Sequence, residues 1–290
     1  EEEYLKAVEP NYREYLDPKM ARRMARIIKM GGTTTNKCLL NTKEIPGAII
    51  LGTGLGCLQD TARFLTDIIE TEEGLLSPTA FIQSTHNTIA GQIALLINCP
   101  NHNFTFANRG FSFENALRDA LMQLEEGKES VLVGALDEVI PESKKILNEI
   151  GCFEDKSVEA KKAPVLGEGA TMFLLSAQKS EYSMASVEGM KTIFQPSGTE
   201  EIMYHIDQLL NQTSISIDKI DGVLLGYNGV ASEDTTYDQL AEGVFEGKNI
   251  FRFKNISGEY FTAAAFGMHL GVKMIETQSA FPSTLVKGNE

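Results

Sequence analysis

The chain has 290 residues, of which 42% are hydrophobic and 23% charged, which is typical of a globular protein with a sizeable core. Its formal net charge of −14 argues against a nucleic-acid-binding protein, which needs a basic surface. No apolar run reaches the roughly 18 residues of a membrane span, and the acidic start EEEYLKAVEP lacks the apolar core of a signal peptide, so we expect neither.

The first predicted helix covers residues 17–31, where Asp17 is placed to cap the N-terminus and Pro18 occupies the first helical position. A basic cluster falls in this segment: Lys19, Arg22, Arg23, Arg26 and Lys29. One interpretation of the cluster is the solvated face of a single helix.

An apolar strand at 46–51 runs into the glycine turn GTGLG at 52–56, and a helix is predicted from Leu58 to Glu70. The third glycine comes too early for a dinucleotide-binding motif, and no second strand ends in an acidic residue about 20 positions later. We therefore expect these glycines to permit a tight turn near a ligand or another backbone segment.

The remaining segments continue to alternate between strand and helix. They are a helix at 87–97, a strand at 103–107, a helix at 113–126, a strand at 131–139, a charged loop at 154–164, strands at 167–179 and 184–194, a helix at 199–211, a strand at 221–229, a helix at 235–245, a strand at 249–256 and a helix at 260–276. This alternation predicts an α/β protein with buried sheets, and its recurrence suggests a duplicated architecture.

Four cysteines are scattered without a CxxC pair or a metal-ligand spacing: Cys38, Cys57, Cys99 and Cys152. Thiols of this kind suit a reducing compartment, so we expect a cytoplasmic protein whose cysteines are mostly buried and inert. We expect no metal and no redox cofactor.

Five segments occur in an order that resembles the β-ketoacyl synthases of the thiolase superfamily. They are RRMAR (22–26), LGTGLG (51–56), SPTAFIQSTHNTIAGQIAL (77–95), VLVGALDEV (131–139) and VLGEGATMFLL (165–175). The resemblance implies a thiolase-like αβαβα fold of five layers built from two similar halves, which would be residues 1–180 and a half at 181–290 that is shortened at its end. It also implies a dimer, and no bound cofactor or metal.

Active members of that family use a cysteine at a helix N-terminus and two histidines that stabilise the oxyanion and the enolate. Matching Ala116 and Leu117 to the family motif places the cysteine position at Gly110. The segments LGYNGVASEDT and KNISGEYFTAAAF place the two histidine positions at Asn228 and Glu259. The resemblance therefore implies that none of the three catalytic groups is intact.

The resemblance also implies a pocket around these positions that includes Arg109, Phe111, Phe113 and Lys254. The phenylalanines could shorten or close an acyl tunnel, or they could fill the core, as buried phenylalanines commonly do. We expect Arg109 to form an ion pair with Glu259, because an unpaired buried charge costs several kcal/mol, roughly. Glu168 is expected to have a structural role in its glycine turn.

The favoured interpretation is a non-condensing subunit of the chain-length-factor type, in fatty-acid, polyketide or aryl-polyene biosynthesis. Its expected partners are an active ketosynthase, in a heterodimer, or a second copy of the chain, with acyl carrier protein as a further possible partner. One alternative is an active 3-oxoacyl synthase or other acyltransferase with a rearranged site, in which His86 or His102 acts as general base. Another is a homodimeric acyl-binding or scaffold protein.

Overall fold

The computed structural model describes residues 4–42, 44–74, 76, 78–152 and 164–288. Its strands are β1 (Tyr4–Leu5), β2 (Ala48–Gly52), β3 (His102–Phe106), β4 (Ser130–Asp137), β5 (Leu166–Gly167), β6 (Gly169–Ser176), β7 (Gly222–Leu225), β8 (Asn249–Arg252) and β9 (Leu285–Lys287). Its α-helices are α1 (Pro18–Ala21), α2 (Arg26–Cys38), α3 (Leu58–Glu70), α4 (Pro78–Ser84), α5 (Thr88–Leu96), α6 (Ser112–Glu125), α7 (Pro141–Glu149), α8 (Thr199–Thr213), α9 (Ala231–Glu242), α10 (Lys254–Ser257) and α11 (Ala263–Thr277).

The first large sheet has the strand order β3-β2-β4-β6, in which β2 is parallel to both neighbours and β6 is antiparallel to β4. Every residue of β2 and β4 is buried, because helices cover both faces of the sheet. Ile49 and Leu51 pack with α2 and α5, whereas Ala48 and Ile50 pack with α6 and α11. The alternation of side chains along β2 thus builds two separate core clusters.

The second sheet has the order β7-β8-β9, with β7 parallel and β9 antiparallel to β8. Val223 and Leu225 pack towards α9, and Leu224 packs towards α11. Helix α11 therefore lies between the two sheets, with Ala265 in the core of the first and Leu270 in the core of the second. The layers follow the order αβαβα, as the resemblance predicted.

The predicted helix at 17–31 is wrong in its bounds. Helix α1 ends at Ala21, and α2 begins at Arg26 and continues through Gly31 and Gly32 to Cys38. A β-carbon on Gly31 would lie 2.9 Å from the Leu136 side chain, so this glycine lets α2 approach the sheet closely. Gly31 and Gly32 therefore lie inside α2, where they allow close packing, and the helix does not end at them.

The predicted strand at 184–194 is also wrong, because these residues have no regular secondary structure. Met184 and Phe194 are exposed, and although Met190 packs against the core, the segment pairs with none of the described strands. The predicted strand at 249–256 ends at Arg252, and α10 follows it. Apart from Pro164, the predicted charged loop at 154–164 lies outside the described residues.

The cysteines only partly match the expectation of buried thiols. Cys57 and Cys99 are buried, Cys38 is half-buried and Cys152 is exposed. Burial raises the pKa of Cys38 to about 11, and it also raises the pKa of Cys57. Both thiols are therefore protonated at neutral pH and poor nucleophiles. Across the described ranges, each helix is too short or too polar to span a bilayer.

Candidate functional site

The glycine turn after β2 is packed against the segments that begin α6 and α11. A β-carbon on Gly52 would lie 2.6 Å from the Ser112 backbone, and one on Gly54 would lie 2.4 Å from the Phe261 side chain. The Ser112 hydroxyl donates to the Thr53 carbonyl at 2.8 Å. The turn therefore serves close approach to another backbone segment, one of the two uses that the sequence predicted.

A fully buried carboxylate, Asp137 at the end of β4, ties these segments together. Its Oδ1 accepts hydrogen bonds from the Gly54 amide at 2.7 Å and the Thr53 hydroxyl at 3.2 Å. Its Oδ2 accepts from the Thr262 amide at 3.0 Å and the Thr262 hydroxyl at 2.8 Å. Burial raises the pKa of Asp137, while these hydrogen bonds act in the opposite direction. Asp137 thereby fixes the turn after β2 relative to the start of α11.

The predicted nucleophile position lies in a short 3₁₀ turn, Arg109–Phe111, that leads directly into α6. Gly110 is exposed, and no described atom lies within 4 Å of a β-carbon built on it. Arg109 adopts a left-handed backbone conformation, with φ of 51°, which is uncommon for a residue other than glycine. The turn thus has the position expected of a nucleophile and room for a side chain there, but no reactive group.

The other two predicted positions meet in the structure. Glu259 Oε2 accepts a hydrogen bond from Asn228 Nδ2 at 2.8 Å and forms a salt bridge with Lys254 Nζ at 2.7 Å. Asn228 lies in the loop after β7, Lys254 begins α10, and Glu259 lies between α10 and α11. Asn228 Nδ2 also donates to Glu233 at 2.8 Å. The cation beside Glu259 is therefore Lys254.

The expected ion pair between Arg109 and Glu259 is not formed. Arg109 is exposed and forms no salt bridge within the part of the chain that the structure describes. Lys254 is only five residues before Glu259, and the short helix α10 directs its amine to the carboxylate at close range. Because Lys254 neutralises Glu259, the carboxylate does not need Arg109 as a partner.

A cavity of about 340 Å³ lies at Gly110. Its lining includes Gly110, Glu114, Tyr237, Lys254, Glu259 and Phe261. Asn228 contacts this lining through Glu259 and is not part of it. The structure therefore brings the three predicted positions into one neighbourhood.

The predicted pocket residues Phe111 and Phe113 do not line this cavity. Phe113 is a buried core residue of α6, with its ring centroid 6.2 Å from that of Phe173. Phe111 packs on Phe194, with the ring centroids also 6.2 Å apart. Phe113 therefore fills the core, which is the second of the two uses considered from the sequence, whereas Phe111 is half-buried against the exposed Phe194.

Sequence reasoning missed Glu114, which lines the cavity one helical turn after Gly110. Its Oε2 is buried and makes no hydrogen bond to any described residue. Burial raises the pKa of Glu114, and the positive charge of Lys254 acts to lower it. The position of Glu114 in the first turn of α6, directly after the Gly110 turn, is a signal that could have identified it.

Neither candidate general base belongs to the cavity lining. The His86 ring lies beside Gly56, in the turn before α3. His102 is exposed on β3, where its ring stacks on Phe104 with centroids 6.4 Å apart. Within the described residues, no three His, Cys, Asp or Glu side chains come together as metal ligands.

Glu168 lies between β5 and β6, near the end of β4, where its side chain is held in a buried network. Arg26 Nη1 and Nη2 donate to its two oxygens at 2.7 and 2.6 Å, and Arg26 also contacts Glu9. The amides of Ala7 and Val139 donate to Glu168 at 3.1 and 3.0 Å. Arg26 therefore does not belong to a solvated helix face, and Glu168 joins the N-terminal segment to the end of β4.

Comparisons with known proteins identify the family. A sequence model described as "Beta-ketoacyl synthase, N-terminal domain" matches residues 2–215. A comparison with curated protein sequences finds no match.

Solved structures with the same fold are similar to most of the chain. The ishigamide ketosynthase/chain length factor has a TM-score of 0.73 and 16% identity, over 94% of this chain and 74% of that chain. A chain of the complex AntDE:AntF (apo), described as a type II PKS acyl-carrier protein in complex with its ketosynthase bound to the hexaketide, has a TM-score of 0.76 and 13% identity, over 96% of this chain and 84% of that chain. A β-ketoacyl synthase from Burkholderia phymatum STM815 has a TM-score of 0.66 and 15% identity, over 92% and 72%.

At these identities, the structural matches show the fold alone, which is the thiolase-like fold predicted from the sequence. The family match is independent of them and covers more than half of the chain. The chain therefore belongs to the β-ketoacyl synthase family.

Proposed function

We propose that this chain is a non-condensing partner subunit of an active ketosynthase, of the chain-length-factor type, in polyketide or related acyl-chain biosynthesis. The observation that carries the proposal is the cavity at Gly110, whose described lining contains neither cysteine nor histidine. Acyl transfer to the enzyme requires a nucleophile, and glycine supplies none.

The remaining polar groups of the cavity are poorly suited to condensation. An enolate develops negative charge, which needs hydrogen-bond donors or cations that are directed at it. The Lys254 amine is already paired with Glu259, and Glu114 and Glu259 would repel the enolate when they are ionised. The site therefore lacks both the nucleophile and the free positive group that the reaction needs.

The comparisons support a partner role in a different way. One of the similar structures is a ketosynthase/chain length factor, and another is a ketosynthase in complex with an acyl-carrier protein. We infer from this similarity that the present chain pairs with a ketosynthase, which in turn binds the acyl carrier protein. The strong negative charge of the chain fits this division, because carrier proteins are also acidic and would be repelled.

The domain division at residue 180 belongs to the same proposal. Residues 177–198 join β6, the last strand of the first sheet, to α8 and contain no described helix or strand. This connection supports an N-terminal half at 1–180 and a C-terminal half at 181–290.

Co-expression with a ketosynthase encoded beside this chain tests the proposal. We expect the two chains to co-purify, and we expect condensation of an acyl thioester with a malonyl carrier protein only when the ketosynthase is present. The matched control is the same pair with the ketosynthase cysteine replaced by alanine, which should abolish turnover. Turnover by the present chain alone would overturn the proposal. Failure to bind any ketosynthase would favour the homodimeric scaffold instead.

A further inference from the structure

The hairpin formed by α3 and α4 packs outside the hydrophobic core of the chain. Among the described residues of these two helices, only Asp60 of α3 and Ala80 of α4 are buried. None of the four core clusters in the described part of the chain includes a side chain of either helix. The apolar side chains of the hairpin are therefore not covered by the core.

Polar contacts hold the hairpin on the rest of the chain. The Gln59 amide, in the first turn of α3, donates to Glu138 Oε1 at 3.0 Å, directly after β4. Gln83 Nε2, on α4, donates to the Arg23 carbonyl at 2.7 Å, before α2. The hairpin thus has a defined position, although its apolar side is open to solvent.

Both helices of the hairpin contribute large apolar side chains to this open side. Leu65 and Ile69 are one turn apart on α3 and are 53% and 77% exposed. Phe81 and Ile82 on α4 are 55% and 58% exposed, and the Phe81 ring centroid lies 5.4 Å from that of Phe64 on α3. These side chains expose roughly 400 Å² of apolar surface, which is in the range of patches that mark interaction sites. Because an amphipathic helix buries its apolar side against another element, we expect a partner to cover this surface.

The charged groups around this surface are mostly acidic. Arg63 is the only basic residue in the sequence from 58 to 84. Four acidic side chains that are not buried lie on α3 or directly after it: Asp67, Glu70, Glu72 and Glu73. A second copy of the chain would bring the same acidic side chains to the interface, and its net charge of −14 would add to the repulsion. The surface therefore fits a different protein, with an apolar patch that has lysines or arginines at its edge.

We propose that the α3–α4 hairpin is the surface that binds the ketosynthase partner, through an apolar patch on the ketosynthase that is rimmed by basic side chains. This inference rests on the proposed partner role and assigns a surface to it. The hairpin supplies about half of the roughly 800 Å² that each partner buries in a stable interface, so neighbouring elements supply the rest.

The affinity for a ketosynthase encoded beside this chain, measured by biolayer interferometry, tests the inference. The double variant Leu65→Gln with Ile69→Gln removes two exposed apolar side chains and keeps a good helix former at each position. We expect it to bind the ketosynthase at least about 30-fold more weakly than the wild-type chain does. The matched control is Ile146→Gln with Ile150→Gln, which removes two exposed apolar side chains at the same spacing at the end of α7 and should leave the affinity unchanged. Unchanged binding by the hairpin variant, or an equal loss in the control, would overturn the proposal.

The same assay tests the charge of the surface. We expect Glu70→Lys to weaken binding about tenfold in about 50 mM NaCl and much less in about 500 mM NaCl, because salt screens the contact. Glu246→Lys reverses an exposed charge in the turn after α9 and should change the affinity by no more than about twofold. Equal effects of Glu70→Lys and Glu246→Lys would overturn the proposed basic rim on the partner.

Binding by the wild-type chain separates this inference from the proposed function. If the wild-type chain and the hairpin variant bind the ketosynthase equally, the partner role holds and the assigned surface is wrong. If the wild-type chain binds no ketosynthase, both proposals are overturned. Light scattering of the purified chain detects the other occupant: a homodimer that the hairpin variant converts to a monomer would assign the surface to a second copy and overturn its assignment to the ketosynthase. Circular dichroism of each variant establishes that it is folded.

Discussion

Two polar clusters that are joined by the segment before α11 differ in how completely their groups are satisfied. Asp137 is buried among four hydrogen bonds, two from each of the segments that it joins. In the cavity cluster, Glu259 is paired with Lys254, but Glu114 has a buried oxygen without a partner in the described chain. The Asp137 cluster is complete in itself, whereas the cavity cluster is not.

This difference distinguishes a cluster that supports the fold, around Asp137, from the candidate site at the cavity. A buried carboxylate with all its hydrogen bonds made holds elements in fixed positions, as Asp137 does for the turn after β2 and the start of α11. A buried carboxylate that lacks a donor is destabilising, and such groups are characteristic of binding and catalytic sites. In this chain, the Asp137 cluster has all its hydrogen bonds beside a cavity cluster that does not.

The largest expected effect is that of removing the scaffold carboxylate. Asp137→Leu leaves the Gly54 and Thr262 amides without acceptors, so we expect a loss of about 4 kcal/mol in the free energy of unfolding. Urea denaturation measures this loss. Asp137→Asn, which keeps one carbonyl acceptor, should lose less. A loss below about 1 kcal/mol for Asp137→Leu would show that the cluster does not hold the fold together.

The next effect is a dependence of stability on pH through Glu138, the neighbour of Asp137. Burial raises the pKa of Glu138 to about 7, whereas its pKa in the unfolded chain is near 4.5. Between these values the folded state binds the proton and the unfolded state does not, so this contribution to stability falls as the pH rises from 4.5 to 7 and stays low above 7.

Glu138→Gln removes that titration. Between pH 5 and pH 8 we expect the wild-type chain to lose about 3 kcal/mol more stability than Glu138→Gln, as measured by urea denaturation at each pH. Glu142→Gln is a suitable control, because Glu142 is exposed on α7. Parallel pH profiles for the wild type and Glu138→Gln would contradict the raised pKa.

A smaller effect is expected from the cavity ion pair. Lys254→Met leaves the buried Glu259 without its cation, so we expect the unfolding free energy to fall by about 2 kcal/mol. The double variant Lys254→Met with Glu259→Leu removes both charges and should recover at least half of that loss. If the double variant is no more stable than the single variant, the loss of stability in Lys254→Met does not come from the unpaired charge of Glu259.

The smallest effect is expected at Gly110. Gly110→Ala adds a β-carbon to open space, so we expect a change within about 0.5 kcal/mol in the unfolding free energy. Gly52→Ala is the matched contrast, because its β-carbon would lie 2.6 Å from the Ser112 backbone and should cost about 2 kcal/mol. Similar thermal denaturation midpoints for the two variants would show that close packing at Gly52 and open space at Gly110 do not differ in their effect on stability.

Much of the fold could be predicted from local sequence patterns. The buried strands β2 and β4 are continuous apolar runs, and α6 has a clear apolar face. Helix α11 is apolar on more than one side, because it packs against both sheets. The segment at 184–194 has the residues of a strand but pairs with none of the described strands. Helix α2 continues through Gly31, where the absence of a side chain allows close packing on Leu136. Such long-range packing is not encoded in a local pattern.

The neighbourhood of the candidate residues could be predicted, but their contacts could not. The order of motifs selects Gly110, Asn228 and Glu259, and the structure places them near one another; their assignment as former catalytic positions stays a prediction. The partner of Glu259 was predicted as Arg109, but it is Lys254, because α10 turns the amine towards the carboxylate. Glu114 was missed, since a glutamate on an amphipathic helix is usually exposed.

The most direct test of the central claim is the intact mass of the purified chain after incubation with an acyl-coenzyme A thioester. We expect no covalent adduct on this chain, because Gly110 supplies no nucleophile, while an active ketosynthase treated in parallel gains one acyl group. A stable mass increase equal to one acyl group, located on any residue of this chain, would show that the chain has an acyl-accepting nucleophile and is not a non-condensing subunit.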